Sequence, residues 1–194
     1  MFRPGDIIGF SSCSQSGFWV NVGTLGIPFW SLSHVGIVGL HPNSGVPVIY
    51  DENHVFRLGK ASVLRQGKDV TIMAIGTMVQ IAEEAAEILA GEAIEARILN
   101  MSSVKPIDKE AIEAAAIETG AIVTAEEHSV IGGLGSAVAE TVCEISPAPV
   151  VRVGVKDQFG RSGEPGELMA AYGLTAEKVA EAAREAISRK AGGK

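Results

Sequence analysis

Cysteine is nearly missing from this 194-residue chain, and the two present, Cys13 and Cys143, are too few for a disulfide framework or a zinc site. Long hydrophobic runs are missing too; none approaches the roughly 18 residues that a membrane span needs. Asp6 interrupts the first apolar stretch, so no signal peptide is expected. Basic charge is in deficit, with 16 Lys and Arg against 23 Asp and Glu, and no segment supplies the basic face of a nucleic-acid binder. What remains is a globular composition, 46% hydrophobic and 20% charged, and a cytoplasmic protein with neither nucleic-acid nor membrane partners is the expectation.

A second shortage is local. Residues 1–54 contain no alanine, whereas residues 55–194 contain 25. The same leading segment holds both tryptophans, four of six phenylalanines and Tyr50, yet only one Lys or Arg, Arg3. Such different usage in adjoining stretches predicts two domains of different origin, 1–54 and 55–194, with a seam inside 46–59.

From Asp69 onward, short β-branched runs alternate with Ala- and Glu-rich helical runs. Strands are predicted at Val70–Ala74, Ala96–Leu99, Ile122–Ala125 and Val150–Val155. Helices are predicted from Thr77 to a stop at Gly91, from an N-cap at Asp108 through Thr119, over 136–144, near 164–172 and over 175–189. Thr77 and Gln80 have the spacing of a capping box. Strand–helix alternation of this kind makes an α/β protein with a mostly parallel sheet covered on both faces. Ahead of the seam, Ile7–Phe10, Val35–Val38 and Val48–Tyr50 are strand candidates in a short β-rich segment, and no amphipathic helix is expected before residue 55.

Candidate chemistry gathers where parallel strands end, the edge at which open α/β sheets bind ligands. Gly132-Gly133-Leu134-Gly135 lies between the third strand and its helix, where amide groups can cradle an anion or the glycines can simply make a tight turn with positive φ. Glu126, Glu127 and His128 should reach the same edge as Gly76, Ser102, Ser103 and Asp157. A Glu–His pair there suits acid–base work, and loop polarity explains it equally. A small-anion site would therefore use Gly76, Glu127, His128, Gly133, Gly135 and Asp157. Cys13 and His34 are the thiol and imidazole that a cysteine hydrolase would need. Cys143, set among Ala, Val and Ile, is expected in the core.

Phe56-Arg57-Leu58-Gly59-Lys60-Ala61 opens a string of motifs that continues with Gly67-Lys68-Asp69-Val70-Thr71-Ile72, Asn100-Met101 and Val104-Lys105-Pro106-Ile107-Asp108. Glu126-Glu127-His128, Gly132-Gly133-Leu134-Gly135, Asp157-Gln158-Phe159-Gly160 and Tyr172-Gly173-Leu174-Thr175 complete it. In order and spacing these resemble the C-terminal domain of transketolases over about residues 55–190, above all the separate C-terminal subunits of split transketolases. The resemblance implies a three-layer α/β/α fold on a five-stranded sheet, with one antiparallel edge strand near Ala61–Leu64. It also implies that thiamine diphosphate and magnesium belong to pyrophosphate and pyrimidine domains that 54 leading residues cannot hold. No cofactor, metal or catalytic residue is thereby assigned to this chain. Its implied role is assembly with partner subunits carrying those domains, and a homo-oligomer is a further expectation. Residues 1–50, with Gly5-Asp6-Ile7-Ile8-Gly9-Phe10 and Leu32-Ser33-His34-Val35-Gly36-Ile37-Val38, resemble the start of a circularly permuted papain-like cysteine hydrolase. His34 matches that group's catalytic histidine; Cys13 precedes it and does not match the nucleophile's place.

Overall fold

In the computed structural model, residues 7–10, 34–40, 47–50 and 55–192 are described, and the chain divides into two compact units, Met1–Leu58 and Gly59–Lys194. The first unit contains an antiparallel sheet of β1 (Ile7–Phe10), β2 (His34–Leu40), β3 (Pro47–Tyr50) and β4 (Val55–Arg57), paired in that order. Its first three strands coincide with the apolar runs of the sequence, and β4 is additional.

The second unit is built on a five-stranded sheet. Its strands are β5 (Ser62–Arg65), β6 (Val70–Ala74), β7 (Ala96–Asn100), β8 (Ile122–Ser129) and β9 (Val150–Val155), in the order β5-β7-β6-β8-β9. Pairing is parallel throughout except at β5, which runs antiparallel to β7 at the edge. The sheet is thus the mixed one implied by the resemblance, with its antiparallel strand at the expected place.

Period-two alternation sends the strand side chains to two separate cores. Val70, Ile72 and Ala74 of β6 face the layer of α1 (Met78–Ala90) and α5 (Ala176–Gly192), where Ala82, Leu89, Val179 and Ala183 are fully buried. Met73 faces the opposite layer of α2 (Lys109–Glu118) and α3 (Leu134–Ile145), against Ile112, Leu134 and Val138. A short α4 (Pro165–Ala171) precedes α5. Alanine lines the helix faces, which lets the helices approach the sheet closely and explains its abundance after residue 55.

Asp108 caps α2 as expected, accepting from the Ala111 amide at 3.2 Å. The same carboxylate accepts from the Ala61 amide at 2.9 Å, so one side chain starts a helix and fixes the entry of β5.

Three local expectations are corrected. The Thr77 side chain makes no capping bond, and Gln80 turns to Glu84 at 3.0 Å, so no capping box forms. α3 starts at Leu134, two residues before the predicted 136, because an internal carboxylate caps it there; β8 for its part runs on to Ser129. Cys143 is exposed: the buried stripe of α3 runs through Leu134, Val138, Thr141 and Val142, and the next residue is rotated about 100° off it.

Candidate functional site

The sheet order places the topological switch between β6 and β8, since the chain leaves β6 for β7 on one side and returns to β8 on the other. The crevice at the carboxyl ends of those two strands is the place where such folds take ligands. Two consecutive glutamates of β8 occupy it.

Glu126, 2% exposed, turns its carboxylate under the first turn of α3. The Leu134 amide donates to its Oε2 at 2.7 Å and the Gly135 amide to its Oε1 at 2.8 Å. A buried carboxylate is tolerated here because two unsatisfied donors and the positive end of the helix dipole surround it. The glycines serve this approach. A Cβ at Gly133 would stand 1.9 Å from Glu126 Oε2, and one at Gly135 would stand 2.8 Å from both Thr124 Oγ1 and Arg152 Cδ. Gly132 has a φ of +78°, so the run does make the tight turn foreseen for it. Its anion cradle is filled by the protein's own anion.

Glu127 points the other way and is exposed. Its Oε2 accepts from the Thr77 hydroxyl at 2.5 Å, bridging the crevice to the start of α1. A capping hydroxyl accepts rather than donates, so this bond does not displace the box; Thr77 makes no cap because its own backbone is helical, at φ −61° and ψ −25°. Gly76, beside Thr77, has a φ of +62° and open space where a side chain would begin. His128 is exposed, with Nδ1 3.0 Å from its neighbour's carbonyl, Ser129 O, and among the described residues no carboxylate is bonded to the ring. Asp157 sits in the loop after β9 with a φ of +45°. Ser103 is used structurally: its hydroxyl accepts from the Gly59 amide at 2.9 Å and donates to Pro106 O at 3.0 Å. Gly133 and the Gly135 amide thus lie against Glu126, while Gly76 stands beside the Thr77–Glu127 bond.

Elsewhere, a groove of about 540 Å³ lies between Leu64 and Arg65 of β5 and Gln80, Glu83, Glu84 and Glu87 of α1. Arg65 is bonded to Glu87 there, and no sequence-predicted site residue lines the groove. Among the described residues no group of three or more His, Cys, Asp or Glu could hold a metal, and no helix is long and apolar enough to cross a membrane. Of the hydrolase pair, His34 opens β2 opposite Phe10, and Cys13 lies outside the described residues.

Sequence reasoning missed that Glu126 serves as a built-in anion. The available signal was a carboxylate directly following Ile122–Ala125 and directly preceding a glycine-rich helix start.

A family model described as the transketolase C-terminal domain matches residues 59–179. The chain belongs to that family. It is 54% identical over 142 residues to the 6-deoxy-6-sulfo-D-fructose transketolase subunit SqwH of Clostridium sp. (strain MSTE9), an alignment covering 73% of this chain and 44% of SqwH. It is 49% identical over 144 residues to the 1-deoxy-D-xylulose-5-phosphate synthase of Heliobacterium modesticaldum, covering 73% of this chain and 22% of the synthase. Among solved structures it resembles a split-gene transketolase, an inactive beta4 tetramer, at a TM-score of 0.70 and 53% identity, covering 75% of this chain and 48% of that one. The chain thus spans less than half the length of these relatives. The match to the transketolase C-terminal domain begins only at residue 59, and the papain-like resemblance of residues 1–50 gains no support from it.

Proposed function

We propose that residues 59–192 act as the C-terminal domain of a thiamine diphosphate-dependent ketol-transferring enzyme, supplying assembly contacts and no reacting group. The closure of the switch-point crevice by Glu126 and Glu127 carries this reading. Amides that would receive a phosphate already hold Glu126 at 2.7 and 2.8 Å. The described residues do not fit a thiamine diphosphate site, because a pyrophosphate and its cation need free donors and a carboxylate cluster. For the same reason the small-anion module is the weaker reading of Gly133 and Gly135.

The relatives support this division of labour. SqwH and the Heliobacterium synthase are named for different reactions yet share this domain, so the domain is not where their chemistry diverges. Thiamine diphosphate and magnesium are expected on partner subunits bearing the pyrophosphate and pyrimidine domains. The cofactor supplies the carbanion chemistry, and the protein around it supplies position. Self-association belongs to the same reading, since the split-gene relative is itself a tetramer of one subunit type. Residues 1–54 are read as a separate β-rich domain, on the strength of their alanine-free composition.

Transfer of a labelled two-carbon unit from a ketose phosphate to an aldose phosphate tests the proposal. The purified chain alone is expected to give no transfer, with turnover appearing once the partner subunits are added. Turnover by the chain alone would refute it.

A further inference from the structure

The first residues of the second unit are bonded across the fold to the connection between β7 and α2. The Gly59 amide donates to Ser103 Oγ at 2.9 Å, and the Ala61 amide donates to Asp108 Oδ2 at 2.9 Å. Between them, Lys60 Nζ reaches Glu110 Oε2 at 2.7 Å and Asp108 Oδ1 at 3.5 Å. Gly59 has a φ of +75°, and a Cβ on it would stand 3.0 Å from Pro106 Cγ, so the chain lies directly on the connection.

The connection depends on these residues in turn. Residues 102–108 form neither strand nor helix. Among the described residues, their only hydrogen bonds that leave the connection and the start of α2 go to residues 59–61. Asp108 joins the two segments: one oxygen of its buried carboxylate accepts from the Ala61 amide and the other from the Ala111 amide, in the first turn of α2. Ala61, Val104, Ile107 and Ala111 also pack against one core cluster, which contains Ile112.

A buried carboxylate shared by two segments is fully satisfied only while both are in place, so opening either one weakens the hold on the other. Segments coupled in this way open as one piece, below the free energy that opens the sheet. We propose that residues 59–61 are a releasable strap over the β7–α2 connection, and that displacing the chain that leads into Gly59 loosens the connection and the first turn of α2 together. The strap carries a change at the head of this unit to the carboxyl edge of its sheet, where Ser102 and Ser103 follow β7. All of its contacts lie within residues 59–112, so it stands independently of the ketol-transferring role.

Hydrogen–deuterium exchange of the full chain, resolved by residue in NMR spectra, tests the strap. Ser103→Ala removes the acceptor of the Gly59 amide and leaves the Asp108 carboxylate in place. The Gly59, Ala61, Ala111 and Ile112 amides are expected to exchange about fivefold faster together, while those of β6 and β8 keep their parent rates. Lys60→Met, which removes only side-chain ion pairs, should speed the same four amides by a smaller factor. Faster exchange confined to Gly59 would mean a local bond and no strap. An equal rise throughout β6 and β8 would mean that the segments open only with the whole unit. Either result overturns the proposal.

Discussion

Glu126 shows how a single residue decides between a binding site and a brace. Both of its oxygens are used by amides of α3, and the glycines that look like a phosphate loop make room for a side chain of the same protein. The turn itself was legible in Gly132-Gly133-Leu134-Gly135; its occupant was not, because the expected strand ended at Ala125 and left Glu126 among loop polar residues. Glu126→Ala should therefore lose about 2–4 kcal/mol in urea denaturation, as two buried amides are left without an acceptor. Glu126→Gln, which keeps one acceptor, should lose less. Emptying the cradle also turns it into what it resembled. Inorganic phosphate should raise the melting midpoint of Glu126→Ala and leave the parent unchanged. A parent stabilised by phosphate would instead restore the anion-binding reading of Gly133 and Gly135.

At the scale of elements, strands and helices were legible wherever apolar periodicity was strong, and the misreadings arose where spacing was right but backbone conformation or helical rotation was not. Thr77 and Gln80 have capping-box spacing, but Thr77 is itself helical, at φ −61° and ψ −25°, and its hydroxyl donates to Glu127 instead of accepting an amide. Cys143 has apolar neighbours in sequence, yet helical rotation carries it past the stripe ending at Val142. The antiparallel edge strand β5 came from family resemblance, since four residues of mixed burial carry little periodicity. The contact between α5 and the turn after α1 was equally invisible. Arg184 Nε and Nη2 donate to the two oxygens of Glu92 at 2.8 and 2.6 Å. The hydrogen bond from Arg184, helped by its charge, holds the Glu92 carboxyl below its ordinary value. A carboxylate depressed in the folded state stabilises it above the unfolded pKa, and that stability vanishes as the pH falls through the lowered value. Glu92→Gln should accordingly melt slightly below the parent near pH 7 and converge with it in acid, measured by calorimetry across a pH series. The gap should be small, because the pair is exposed to solvent. A gap that widens in acid would contradict the assignment.

For the whole molecule, the change in composition and the division of the backbone fall close together, the seam inside 46–59 and the units meeting between Leu58 and Gly59. Alanine abundance marks the three-layer unit, where buried alanines of α1 and α5 line the faces packed against the sheet. Just after the junction, the Gly59 amide is bonded to Ser103 Oγ, Lys60 Nζ reaches Glu110 Oε2 at 2.7 Å, and the Ala61 amide is bonded to Asp108. Proteolysis requires a stretch of chain to leave its bonds and extend into the protease, so each of these contacts protects the Lys60–Ala61 bond. Arg57 ends β4, where it pairs with Val48, and Arg3 is blocked by the proline that follows it. With the units dividing between Leu58 and Gly59, limited trypsin digestion read by intact mass should cut after Arg57 and leave a resistant fragment beginning at Leu58. If that fragment is degraded as fast as it forms, Gly59–Lys194 does not hold its fold without the leading unit, and the two must be treated as one cooperative structure. If it persists, the transketolase-type domain is self-sufficient, and the ketol-transfer and hydrogen-exchange experiments can be repeated on it to learn which of them needs residues 1–57.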